Sequence, residues 1–146
     1  MYEYEVKEVV RVVDGDTVDV VFDLGFSLFK KERVRLAGID TPESRTRDLD
    51  EKKLGLEAKA KVNFELMNAK KIICKTEKEG KYGRILGWIY LDEMASSLNE
   101  HLIASGYAWE YDGGKKNKSL EQLLEIRYSQ DTVVDAPKIN PTSKEL

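Results

Sequence analysis

Three β-branched apolar runs, one amphipathic helical stretch, two more apolar runs and two capped helical patterns follow one another along the chain. This order predicts an α+β fold, a five-stranded β-barrel of the OB type carrying three α-helices. The evidence for it is the helix placed after the third strand, the turn signals between strands, and the capping patterns near the end.

The stretch "VVRVVDGDTVDVVFDL" contains two strands joined at Asp14-Gly15, a strong hairpin signal. Val34 to Ile39 supplies the third strand. Leu56, Ala60, Phe64 and Met67 recur at helical spacing beside Ala58, Val62 and Leu66, which predicts a helix over about 54–69. Lys71–Thr76 and Arg84–Leu91 are the last two strands, separated by the turn-like "EKEGKYG". Ser97 and Glu100 form a capping-box pattern that opens a helix expected to stop at Gly106, and Ser119 with Gln122 repeats the pattern ahead of Leu120, Leu123, Leu124 and Tyr128. From Asp131 onward the chain has Pro137 and Pro141 and loses periodicity. The expectation is one domain over 1–130 and a flexible C-terminal tail over 131–146.

At 146 residues the chain is long enough to bury a core without disulfides or a structural metal. Cys74, the only cysteine, sits in the apolar run "KIICKT" and is expected to be a small core residue. The first ten residues lack the unbroken apolar run of a signal peptide, and no stretch is long enough to span a bilayer. The expectation is a soluble protein without a membrane partner, cytoplasmic unless a leader has been removed. Formal charge is -3, with cations dispersed among acids, so a polyanion would have to be held by local chemistry.

The chemistry-bearing residues cluster at strand ends. Asp14-Gly15 is explained by turn chemistry, but a turn makes no demand for Asp16 at the mouth of the next strand. Arg35 shares a strand face with Ala37 and Ile39, and a guanidinium in such surroundings needs a partner. Asp40, Thr41, Pro42 and Glu43 fit a strand-ending turn equally well. Alternatively, Asp16 and Asp40 converge on one cation. With no histidine or cysteine nearby, that cation would be hard, calcium or magnesium, with water and a ligand completing its shell. Lys81, Tyr82 and Arg84 surround a glycine turn; Arg35 and Arg84 together could fork onto phosphate oxygens. His101, the lone histidine, is expected at the surface, and "GGKKNK" reads as a loop.

Five separated motifs, "VVDGDTVDV", "VRLAGIDTPE", "LGLEAKA", "KYGRILGWIY" and "SLNEHLIASGYAW", resemble in order and spacing the staphylococcal nuclease (thermonuclease) family over about residues 8–129. The resemblance implies an OB-fold, calcium-dependent endonuclease, a hydrolase that cuts DNA and RNA and leaves 3'-phosphate ends. It implies that Asp16, Asp40 and the Thr41 carbonyl hold Ca2+, and that Asp14 lies beside the metal. Glu43 takes the place of the general base, and Arg35 and Arg84 those of the phosphate clamps. Lys81, Tyr82 and Tyr111 fall near the positions that hold a terminal phosphate and sugar. The implied partners are single-stranded or locally melted DNA and RNA, with no obligate protein partner and a monomer expected.

Two features depart from the family: "DLGFSLFKKER" is longer than its plainest form, and the chain is mildly acidic, which predicts weaker, less salt-sensitive binding of long DNA. Arg45 and Arg47 either reach the substrate backbone or belong to a solvated loop. The competing readings are a non-catalytic nucleic-acid-binding module of the same family and an OB-fold interaction domain, neither of which needs the full set Asp16, Arg35, Asp40, Glu43 and Arg84.

Overall fold

A computed structural model describes residues 1–77, 84–111 and 118–139, with side chains through residue 130. Five strands close into a barrel: β1 (Tyr2–Asp14), β2 (Thr17–Gly25), β3 (Leu28–Leu36), β5 (Ile72–Glu77) and β6 (Ile85–Leu91), in the order β1-β2-β3-β6-β5. Only the β3–β6 pairing is parallel. The last strand pair of the ring, β1 with β5, joins Tyr2–Glu5 to Ile73–Thr76. Closure leaves the barrel no free edge.

β1 is longer than its apolar run predicts, because three register shifts coil it around the barrel. It meets β5 with its first residues and β2 with the remainder.

The third strand also differs from expectation. It begins at Leu28, since β2 and β3 form a long hairpin turning at Phe26 and Ser27, which accounts for the extended "DLGFSLFKKER" segment. It stops at Leu36 because Gly38, at φ +77°, turns the chain in a conformation that favours glycine. Ile39–Asp40 then forms a separate short strand, β4, paired with β7 (Trp109–Glu110).

Three helices, α1 (Leu49–Asn68), α2 (Leu98–Ala104) and α3 (Leu120–Ile139), complete the fold. α1 starts earlier than its hydrophobic pattern suggests because Asp48 caps it, accepting from the Asp50 and Glu51 amides. Its buried face is Leu54, Ala58, Val62 and Leu66, four apart, so the expected core residues Leu56, Phe64 and Met67 stand 46%, 61% and 69% exposed. Both expected capping boxes form, Ser97 with Glu100 and Ser119 with Gln122. α3 runs through Ile139, past Asp131 where the tail is expected to begin. Among the described residues no helix is long and apolar enough to cross a membrane.

The core is continuous through the barrel and under α1 and α2, with Val18, Val20, Leu36, Ile89 and Leu102 almost wholly buried. Cys74 belongs to it as expected, and burial pushes its thiol up to about 12. One of the buried polar side chains ties separate segments of backbone together. Asn99 on α2, 2% exposed, accepts from the Ile89 amide at 3.1 Å and donates to the Ala37 and Gly87 carbonyls at 2.8 and 3.0 Å. It therefore fixes the end of β3 just before the chain turns into Asp40.

Candidate active site

Hairpin pairing carries Asp14 and Asp16 to the same end of the barrel as Arg35. Asp14 and Thr17 are register partners, leaving Gly15-Asp16 as the turn, and Thr17 pairs with Arg35. The turn glycine is not in the left-handed region expected of an Asp-Gly hairpin. Its role is close approach: a Cβ at Gly15 would lie 2.8 Å from Ala58 of α1 and 3.0 Å from the Thr41 side chain. The dipeptide thus seats the helix and the Thr41 segment against the hairpin, which a reading from turn chemistry alone does not reveal.

Arg35 finds the partners its half-buried position demands. Its Nη1 donates to the Leu36 and Ile39 carbonyls, both at 3.0 Å, and stands 3.5 Å from Asp16 Oδ2. Its Nη2 stands 3.8 Å from Asp40 Oδ1. One guanidinium, pinned by two carbonyls, therefore joins the two carboxylates singled out in the sequence. The Thr41 amide closes the same group by donating to Asp16 Oδ2 at 3.4 Å.

Glu43 is positioned by α1. Its amide donates to Glu51 at 3.0 Å, and Gly55 lets the loop pack directly on the helix, since a Cβ there would meet the Glu43 carbonyl oxygen at 2.4 Å. This is why "LGLEAKA" needs its glycine inside a helix, at a cost of about 1 kcal/mol against alanine. The Glu43 side chain is exposed, yet partial withdrawal from water pushes its carboxyl above the usual value; Asp14, Asp16 and Glu51 push it further, and Arg45 opposes them. Ser44, 4% exposed, donates its hydroxyl to Asp14.

Three side chains in or beside the site escape a reading of the sequence. The β4–β7 pair sets Trp109 opposite Asp40, and the Tyr111 amide donates to the Gly38 carbonyl at 2.8 Å, so Tyr111 stands beside the same strand. Lys118, just ahead of α3, brings its ammonium to Asp40 Oδ2 and lies 5.8 and 5.3 Å from the Trp109 and Tyr111 ring centres. Lys118 ends a lysine-rich stretch of sequence, Ser44 carries no motif, and Trp109 is marked only by its neighbours. Their spatial arrangement depends on pairings 30 to 78 residues apart: Ser44 with Asp14, Trp109 with Asp40 and Lys118 with Asp40.

Arg84 directly precedes β6, whose first residue Ile85 pairs with Val34 and whose Leu86 pairs with Arg35, so Arg84 enters the barrel next to the strand that carries Arg35. Lys81 and Tyr82 lie outside the described residues. His101 is exposed and stands 4.0 Å from Glu65, on α2, apart from this cluster.

Among the described residues no group of three or more His, Cys, Asp and Glu side chains is placed to hold a metal ion. The carboxylates that do gather about Arg35, Asp16 and Asp40, are oxygen donors, and the acids crowding Glu43 create the local negative charge that a cation relieves. The residues present fit a hard, incompletely caged divalent ion.

Comparison with known proteins bears on this arrangement. Residues 33–131 match the family described as staphylococcal nuclease homologue. The chain is 35% identical over 101 residues to Endonuclease YncB of Bacillus subtilis (strain 168), covering 67% of this chain and 44% of that protein. It is 32% identical over 112 residues to the Micrococcal nuclease of Shigella flexneri, covering 71% and 57%. An uncharacterized protein of Methanocaldococcus jannaschii is 35% identical over 131 residues, with 75% and 61% covered. The chain thus spans 44% to 61% of the length of these relatives. The family match begins after Asp14 and Asp16, and the fold brings Asp16 to within 3.5 Å of Arg35 near the start of the matched stretch. A match over most of the chain, borne on the barrel that the strand order predicts, makes this protein a member of the staphylococcal nuclease homologue family.

Proposed function

We propose that the protein is a calcium-dependent nuclease that hydrolyses phosphodiester bonds of DNA and RNA and leaves 3'-phosphate ends. The observation that carries this reading is Arg35 lying between Asp16 and Asp40, with Glu43 held nearby by α1. Asp16, Asp40 and the Thr41 carbonyl would hold the calcium, with Asp14 beside it. Calcium bound there would supply Lewis-acid polarisation of a non-bridging phosphate oxygen.

The chain's own residues supply the rest. Glu43 orients the attacking water and accepts its proton; the raised affinity of its carboxyl for a proton suits it to that task. Arg35 donates to the phosphoryl oxygens as negative charge builds on them, and its two carbonyl bonds hold the guanidinium in place through the reaction. Arg84, immediately ahead of β6, supplies a second fork. Tyr111, with Lys81 and Tyr82, receives the terminal phosphate and sugar. Lys118, which pairs with Asp40, would have to release that carboxylate for it to serve as a calcium ligand.

Single-stranded DNA incubated with calcium or with a chelator tests the reading. Cutting in calcium alone is expected, and Glu43→Gln should lower its rate about 100- to 1000-fold with the fold retained. Binding without cutting would convert the protein into a binding module, and near-parental cleavage by the variant would remove Glu43 from the chemistry.

A further inference from the structure

A second feature lies next to this cluster and has no role in the mechanism above. Between β1 and α1 runs an open groove of about 540 Å³, whose nine lining residues include Arg11, Arg45 and Lys59 but no carboxylate. In a chain with 27 acidic residues against 24 lysines and arginines, such a surface is unusual. Among the described residues neither Arg45 nor Lys59 forms an ion pair within 4.0 Å, and Arg45 feels Glu43 only through space, opposing the rise of its carboxyl. Arg11 approaches Asp19 only at 3.9 Å, while Arg33 already holds that carboxylate at 2.8 Å. The cations are thus available to an external anion.

The groove's position gives that anion a direction. Val12 and Val13 of its wall precede Asp14 on β1; Ser44 and Arg45 follow Glu43 on the loop. Ser44 donates to Asp14 across the boundary, so the groove opens where the carboxylate cluster ends. Its walls are mixed in a way that suits a polynucleotide. Val10 and Leu56, 37% and 46% exposed, offer apolar surface to sugars and bases, and Asn63 adds an amide. The exposure of Leu56, anomalous for a helix core position, is what gives the groove this face.

We propose that this groove is a binding site for the sugar–phosphate backbone of single-stranded nucleic acid, with Arg11, Arg45 and Lys59 neutralising phosphates beyond the scissile one. The inference rests on the chain acting on nucleic acid and names where the rest of the strand lies. It resolves how a protein of net charge -3 holds a polyanion: by one locally basic track rather than by an overall field.

The test is anisotropy of a fluorescein-labelled twelve-nucleotide oligothymidylate, titrated with the full chain in chelator so that no cleavage intervenes. Arg11→Gln with Lys59→Gln should weaken binding about tenfold and reduce the salt slope by about 1.4, roughly 0.7 for each lost phosphate contact. Lys53→Gln with Lys70→Gln, the same charge change outside the groove, should leave both quantities at the parental level. Equal losses in the two pairs, an unchanged slope in the first, or no binding by the parent at low salt would overturn the groove. If the parent binds with this groove dependence yet fails to cut when calcium is supplied, the nuclease reading falls and the groove stands.

Discussion

At the scale of single residues, polar side chains taken from water are held by specific partners; among the described residues the exception is Arg127, whose Nη2 is buried without one while its Nη1 and Nε are bonded. Arg35 has two carbonyls and two carboxylates, and Asn99 has three backbone groups. Asp19, 8% exposed, has the fork of Arg33, with bonds of 2.8 and 3.1 Å that hold its carboxyl below the ordinary value of 3.8. The sign of the consequence follows. A depressed folded-state value means that the pair stabilises the protein above pH 3.8 and that this contribution is lost as pH falls through the folded value. Asp19→Asn should therefore melt a few degrees lower than the parent at pH 7, on the order of 1 kcal/mol because Arg33 is half exposed, with the gap closing in strong acid. Melting curves across that range check it, and a gap that widens in acid would be the wrong sign.

At the scale of elements, strands and caps were legible because their signals are local. Asp14-Gly15, the capping boxes and the alternating valines each depend on residues within a few positions. What the sequence obscured was orientation. The apolar positions of α1 form two stripes, and only tertiary packing decides that Leu54, Ala58, Val62 and Leu66 face inward while Leu56, Phe64 and Met67 remain outside. The break of the third strand at Gly38 was hidden for a similar reason, since the apolar alternation continues across it into Ile39. Asn99 is the element-level link from α2 to the site, and its place in a helix gave no hint of it. Asn99→Ala leaves the Ile89 amide and the Ala37 carbonyl without a side-chain partner, so denaturant unfolding should show a loss of about 2–4 kcal/mol. A loss under about 0.5 kcal/mol would mean that backbone or water replaces the amide.

At the scale of the whole molecule, the barrel's function is to bring distant parts of the chain to one end. β1–β2 delivers Asp14 and Asp16, the turn after β3 delivers Asp40, and β7 with the approach to α3 delivers Trp109, Tyr111 and Lys118. The candidate residues Asp16, Arg35, Asp40 and Glu43 could be picked from the sequence because they sit at strand ends where strands do not need them. Lys118 and Ser44 could not, because nothing local distinguishes them from loop residues. Clustered acids repel a phosphate until a cation joins them, so the cation and a nucleotide should favour each other's binding. Isothermal calorimetry of calcium, with and without a nucleoside 3',5'-bisphosphate, tests the claim that Asp16 and Asp40 share one ion opposite Arg35. The account predicts a single calcium site, tightened at least fivefold by the bisphosphate and lost in Asp16→Asn. Calcium binding that ignores the nucleotide, or that survives intact in Asp16→Asn, would contradict it.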